Sequence, residues 1–139
     1  MAFITMIEFF MPMEPPTSTH QLKQVRVVSG KPQFYEPSKV ADARAKLTAH
    51  LSKHCPDAPL EGPLRVMIKW LFPTDQKHED GEYKDTRSDL DNLAKQILDV
   101  MTMLGFWSDD AQIASLILEK FWADTPGIFI RITCLKGDH

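Results

Sequence analysis

The sequence has few cysteines and no apolar run long enough to cross a membrane. Cys55 and Cys134 lie far apart and form no metal-binding pair, so we expect free thiols in a reducing, cytoplasmic environment. The apolar N-terminal run 1–13 contains Glu8, has no basic start and is too short for a bilayer span. Internal repeats and heptads are also absent. We therefore expect no membrane association, leader peptide or repeat architecture.

The sequence also lacks an excess of basic residues. Its formal net charge of −3 argues, taken alone, against nucleic acid as a partner. The charges are unevenly distributed, however: residues 20–54 carry seven basic and two acidic side chains, whereas residues 75–91 carry seven acidic and three basic ones. A basic arm beside an acidic metal pocket would suit a nuclease. Ordinary solvated surfaces would produce the same pattern, so charge leaves both interpretations open.

The length and the hydrophobic patterning predict a single α+β domain spanning residues 1–139. A chain of 139 residues, 43% hydrophobic and 25% charged, can bury a substantial core. Apolar residues alternate over residues 64–72, which predicts a strand, and recur at helical spacing between Val40 and Leu51. Further strands are predicted at Phe3–Phe10, Val25–Val28, Gln33–Tyr35, Ile113–Trp122 and Gly127–Leu135. The fold class is α+β, with a mixed β-sheet and two main helices.

Loops separate these elements at two places. Residues 12–20 are rich in proline and cannot be helix or central strand. Residues 73–86 form a long polar loop that leads directly into Asp89. A loop of this length is usually functional or mobile, so it could contact a substrate or simply extend over the surface.

The stretch from Arg87 to Ile113 combines two acidic clusters with a helix between them. Asp89 and Asp91 stand two residues apart, and Lys95 follows within the first turns of the expected helix. That helix carries one apolar stripe and ends before a glycine; the residues concerned are Leu93, Ile97, Met101, Leu104 and Gly105. The second cluster is Asp109-Asp110. Both acidic clusters therefore lie at element boundaries.

These residue types suit a divalent metal. Mg²⁺ and Mn²⁺ prefer hard oxygen ligands and bind one or two protein carboxylates together with water and substrate phosphate. Asp89 and Asp91 would supply two carboxylates, and the intervening helix could bring Asp110 to them as a third. Lys95 could hold a phosphate as a point charge. Three carboxylates and one lysine are the components of metal-assisted phosphodiester hydrolysis.

The aspartates allow a capping role as well, whereas a third role, in a calcium-binding loop, does not fit the sequence. Aspartate is a common helix N-cap, so Asp91 and Asp110 could simply be capping residues, and spacing alone favours that interpretation. A calcium-binding loop is excluded because Ala94 and Val100 occupy the places that require glycine and glutamate.

The motif Asp89-Leu-Asp-Asn-Leu-Ala-Lys95, followed by residues 105–113 (Gly-Phe-Trp-Ser-Asp-Asp-Ala-Gln-Ile), resembles the signature of the RusA family of Holliday junction resolvases. The resemblance covers residues 60–135 well and the N-terminal half loosely. It implies a small homodimeric, Mg²⁺-dependent endonuclease, frequently carried on prophages, with Mn²⁺ as a possible substitute. The catalytic interpretation of the aspartates then outweighs the capping one, and Asp91 could do both.

Carried over residue by residue, the resemblance implies that Asp89, Asp91 and Asp110 are the metal-binding catalytic aspartates and that Lys95 is the catalytic lysine. Asp109 also matches the family pattern. The implied reaction is paired symmetric hydrolysis of four-way DNA junctions in recombination and repair. The alternatives are a broader nuclease acting on flaps or branched DNA and a non-catalytic junction-binding module.

A substrate that needs two symmetric cuts also favours a homodimer with two-fold symmetry. Three apolar residues near the end of the expected helix could lie in its interface or equally in the core of one chain: Met101, Leu104 and Phe106.

Overall fold

The computed structural model describes residues 5–19, 24–28, 31–35 and 38–136, with the backbone alone for 24–28 and 31–35. Within these ranges the strands are β1 (Met6–Pro12), β2 (Gln24–Val28), β3 (Lys31–Tyr35), β4 (Leu64–Pro73), β5 (Ile113–Ala123) and β6 (Gly127–Cys134). The α-helices are α1 (Ser38–Leu51) and α2 (Leu90–Leu104). Short 3₁₀ helices follow at Ser52–His54 and Asp110–Gln112.

Four strands form a mixed sheet in the order β1-β6-β4-β5. β6 runs antiparallel to both β1 and β4, whereas β4 and β5 run parallel, from Leu64 opposite Ile113 to Pro73 opposite Ala123. β2 and β3 pair as a separate antiparallel ribbon. Parallel neighbours need a crossover connection, and α2 is the helix of that connection.

One face of the sheet forms the core with the two helices. Every second residue of β4 is buried, and the same holds on β6, where Ile128, Ile130 and Ile132 are fully covered. From α2, Leu93, Ile97 and Met101 join the same cluster. Burying an aliphatic side chain of this size contributes about 1.5–3 kcal/mol, so the apolar stripe of α2 holds this helix against the sheet.

The predicted fold class and the predicted order of elements are confirmed. Some boundaries differ: Pro12 is the last residue of β1 rather than part of the loop, and Lys31 and Pro32 belong to β3 rather than to the hairpin turn. These prolines are tolerated because both strands lie at sheet edges. The predictions for Phe3, Ile4 and His20 fall outside the described residues.

The residues named as core or interface candidates are also placed. Met101 and Phe106 are fully buried and belong to the core, while Leu104 is half-buried against it. Cys55 and Cys134 are both free thiols, as expected. Across the described part of the chain, no helix combines the length and the apolar character needed to span a bilayer.

Gly105 ends α2 in the left-handed conformation, with φ 92° and ψ 25°, as the sequence predicts. Its N–H donates to the carbonyls of Met101 at 3.2 Å and Thr102 at 3.1 Å, which satisfies two carbonyls that the helix end would leave unpaired. A glycine is favoured here because a Cβ disfavours positive φ.

We expect Gly105→Ala to lower the free energy of unfolding by about 1 kcal/mol, through left-handed backbone strain alone. No atom lies within 4 Å of the added Cβ, so steric overlap contributes nothing. Gly105→Asn is the matched control and should lose less, since asparagine tolerates this conformation. Urea unfolding of the three proteins tests this, and equal midpoints for all three would contradict it.

Candidate active site

Asp89 is the N-cap residue of α2, but its side chain does not cap the helix. Its backbone is extended, with φ −70° and ψ 141°, and its carbonyl accepts the first helical hydrogen bond from the N–H of Leu93 at 3.0 Å. The exposed carboxylate accepts no capping hydrogen bond. Asp91 is exposed in the first turn of the same helix. Both negative charges therefore lie at the positive end of the helix dipole.

The capping interpretation of Asp91 is wrong, since the cap position belongs to Asp89. Among the described residues, no hydrogen bond or ion pair engages either carboxylate. An N-cap aspartate that leaves the helix donors unused gives up about 1 kcal/mol of stabilisation. The oxygens of Asp89 and Asp91 are consequently available to a ligand.

Lys95 lies one turn after Asp91, on the same side of α2, because residues four apart are neighbours on a helix. Its side chain is 60% exposed, and its Nζ lies 3.9 Å from the Oδ2 of Asp99. An exposed pair at this distance is worth at most about 1 kcal/mol. The ammonium can therefore leave Asp99 for a phosphate at little cost.

Asp110 lies beyond the opposite end of α2. The helix has 15 residues and a length of about 22 Å, and it runs from the end of the sheet where β4 finishes to the end where β5 begins. Among the described residues, no group of three His, Cys, Asp or Glu side chains could hold a metal ion. The structure thus places Asp89, Asp91 and Lys95 at the start of one helix. It does not bring Asp110 close to Asp89 and Asp91, contrary to the expectation that the intervening helix would do so.

Asp109, rather than Asp110, is the capping residue of the second acidic cluster. Its Oδ1 accepts from the N–H of Ala111 at 2.8 Å, while the Oε1 of Gln112 accepts from the N–H of Asp109 at 3.1 Å. Gln112 also donates to the carbonyls of Leu60 and Gly62, each at 3.0 Å. This reciprocal capping box fixes the turn and leaves Asp110 exposed at its start.

The different roles of Asp109 and Asp110 were not predicted from the sequence, although the spacing of Asp109 and Gln112 is typical of a capping box. The contact between the N-terminal loop and the start of α2 was not predicted either. There, Ser88 Oγ donates to the carbonyl of Thr17 at 3.1 Å, and Gln96, 3% exposed, donates to the carbonyl of Ser18 at 2.9 Å. No pattern in the sequence pairs these distant residues.

Comparison with known proteins gives the class of the protein. Residues 12–133 match the family described as endodeoxyribonuclease RusA. The protein is thus an endodeoxyribonuclease, a hydrolase of phosphodiester bonds in DNA, and the exposed acidic pair with its lysine accords with that class.

The chain belongs to the RusA family, as the resemblance of its motifs indicated. It is 34% identical over 128 residues to the crossover junction endodeoxyribonuclease RusA of Lactococcus phage r1t, covering 91% of this chain and 96% of the relative. It is also 24% identical over 115 residues to the uncharacterized protein YqaN of Bacillus subtilis (strain 168), covering 75% of this chain and 80% of that protein.

We expect Asp109→Ala to destabilise the protein by about 1 kcal/mol, because it removes the acceptor that caps the turn. Asp109→Asn should stay close to the wild type, since asparagine is an equally good cap. The measurement is thermal unfolding followed by circular dichroism. If both variants lost the same stability, the charge of Asp109 rather than its capping bond would be the important property.

Proposed function

We propose that this protein is a divalent-metal-dependent Holliday junction resolvase that acts as a homodimer and introduces paired, symmetric nicks. One observation carries the proposal: Asp89 occupies a cap position without capping, which leaves its carboxylate and that of Asp91 uncommitted at the surface. The name of the Lactococcus phage relative, a crossover junction endodeoxyribonuclease, supports four-way DNA junctions as the substrate.

The two uncommitted carboxylates fit Mg²⁺, with Mn²⁺ as a substitute. Mg²⁺ is usually held by one or two carboxylates and keeps several waters, and hard oxygen ligands suit both ions. Asp89 and Asp91 would hold the ion from the N-cap and the first turn of α2. When bound, the ion would activate a water and balance the charge on the reacting phosphate.

Lys95 would contact the scissile phosphate. It lies on the same helix face one turn after Asp91, and within the described part of the chain its ammonium makes only a weak contact, with Asp99. A fixed positive charge stabilises negative charge that develops on a phosphate oxygen during displacement. The basic surplus of residues 20–54 would bind the DNA backbone through its phosphates.

A second copy of the chain would complete each acidic site. Asp110 lies about one helix length from Asp89 within a chain, so it cannot join the pair there. Two chains related by a two-fold axis, with their α2 helices antiparallel, would place Asp110 of each copy at the Asp89 end of the other. The four-way junction itself requires two symmetric cuts, which fits a dimer with two such sites.

Asp89→Asn and Asp91→Asn should each lower the cutting of a synthetic four-way junction in Mg²⁺ by about a hundredfold or more, because they remove a ligand charge at constant shape. Junction binding without metal should remain within about twofold of the wild type. Asp57→Asn, an exposed loop carboxylate, is the matched control. Cutting of flap and linear duplex substrates is measured in parallel with the junction. Equal cutting of all three would show a broader nuclease instead of a junction resolvase.

Mixing two inactive variants tests the shared site. In a mixed dimer of Asp89→Asn and Asp110→Asn chains, a site built across two copies retains one intact combination, Asp89 of one chain with Asp110 of the other. The mixture should therefore regain nicking of one strand, while each variant alone stays inactive. Sites built within single chains would leave the mixture as inactive as its components, which would refute the shared arrangement.

A further inference from the structure

The end of the long polar loop leads into Asp89, so its backbone determines where that carboxylate lies. The loop is held on the free edge of β5 by backbone hydrogen bonds. The N–H of Gly81 donates to the carbonyl of Trp122 at 2.8 Å, and the N–H of Trp122 donates to the carbonyl of Glu82 at 2.8 Å. The N–H of Lys84 then donates to the carbonyl of Lys120 at 3.0 Å. This strand-like pairing stops at Lys84.

Beyond Lys84, two ammonium groups hold the backbone in place of a strand partner. Lys84 Nζ donates to Thr86 Oγ1 at 2.8 Å and to the carbonyl of Arg87. Lys120 Nζ donates to the carbonyl of Thr86 and, at 2.7 Å, to the carbonyl of Ser88. Three consecutive carbonyls therefore point at two positive charges. The last of these belongs to the residue immediately before Asp89.

Lys84 makes these contacts from a buried position, which is unfavourable for a charged ammonium group. The residue is 8% exposed, and its ammonium lies 4.9 Å from the ring centres of both Phe72 and Trp122. Burial, and secondarily the charge of Lys120, lowers the pKa of Lys84. Among the described residues, neither lysine forms an ion pair with a carboxylate. The backbone carbonyls and the ring faces thus stabilise two neighbouring positive charges.

The same segment is tied on its other side by Ser88 Oγ, which donates to the carbonyl of Thr17 at 3.1 Å. Backbone pairing with β5 also holds the earlier part of the loop, up to Lys84, against the sheet. The lysine contacts add something different, because they fix the direction of the three peptides that precede the N-cap. Groups that orient a metal ligand without touching the metal themselves typically affect metal affinity by about 10–100-fold.

We propose that Lys84 and Lys120 are positioning residues of the nuclease site: by holding the carbonyls of residues 86–88, they fix Asp89 where it can bind the metal. This inference rests on the proposed function, since it assigns Asp89 a metal. Lys84 holds the hydroxyl of Thr86 and the carbonyl of Arg87, while Lys120 holds the carbonyls of Thr86 and Ser88, so Thr86 is the residue that they share as a partner.

Lys120→Met tests the proposal, with Lys69→Met as the matched control. Lys69 lies in the adjacent strand and contacts Glu119 and Phe129, and among the described residues it forms no hydrogen bond or ion pair with residues 86–88. Mn²⁺ binding is measured by titration calorimetry on the full-length protein without DNA, and unfolding temperature is measured without metal. We expect Lys120→Met to weaken Mn²⁺ binding about tenfold with little change in the unfolding temperature, and Lys69→Met to change neither.

Lys84→Met is the second variant, because methionine keeps an apolar chain between Phe72 and Trp122. It should weaken Mn²⁺ binding in the same direction. The double variant should lose less than the product of the two single effects, since both lysines hold one segment. The metal concentration that gives half-maximal junction cutting should rise in parallel.

The outcomes separate this inference from the proposed function. If the wild type binds Mn²⁺ and cuts junctions, and both lysine variants bind Mn²⁺ as the wild type does, the inference is refuted and the function stands. A lower unfolding temperature with unchanged Mn²⁺ affinity refutes it equally, since the lysines would then be structural only. A wild type that neither binds Mn²⁺ nor cuts refutes the proposed function and this inference together.

Discussion

The parallel pairing of β4 with β5 determines where the acidic residues of this protein lie. Two parallel neighbours cannot be joined by a tight turn, so the chain must return along the length of the sheet before β5 begins. α2 makes that return, held by an apolar stripe that the core covers. One acidic cluster precedes the crossover helix and the other follows it. Their separation is therefore a property of the topology and not of side-chain conformation.

The two acidic clusters also differ in how their charges are used. Asp109 is engaged in a capping box that stabilises its own turn. Asp89 occupies the N-cap position of a longer helix, but its side chain makes no capping hydrogen bond. A helix as well packed as α2 can forgo a cap worth about 1 kcal/mol, because its stability comes chiefly from buried apolar area. Packing at one face of the helix thus allows an unpaired carboxylate at its end.

The sequence predicted those features of the fold that depend on residues close together in the chain. The alternation in β4, the stripe of α2 and the left-handed glycine at position 105 are all readable from neighbours in the chain. Features that depend on contacts between distant segments were not predicted. That β4 and β5 pair in parallel, which carries Asp110 away from Asp89, is not encoded in any short window. Lys84 also reads as a solvated loop residue, and only its placement between two aromatic rings shows that it is buried.

The separation of the acidic residues along α2 has a consequence for how activity depends on protein concentration. On the proposed arrangement a lone chain holds only fragments of two different sites, so nuclease capacity would follow the number of dimers. At concentrations below the dimer dissociation constant, that number falls with the square of the chain concentration. Dilute chains would then have little nuclease activity. A single association event would also create both cutting centres at once, which suits the paired cuts proposed for the four-way junction.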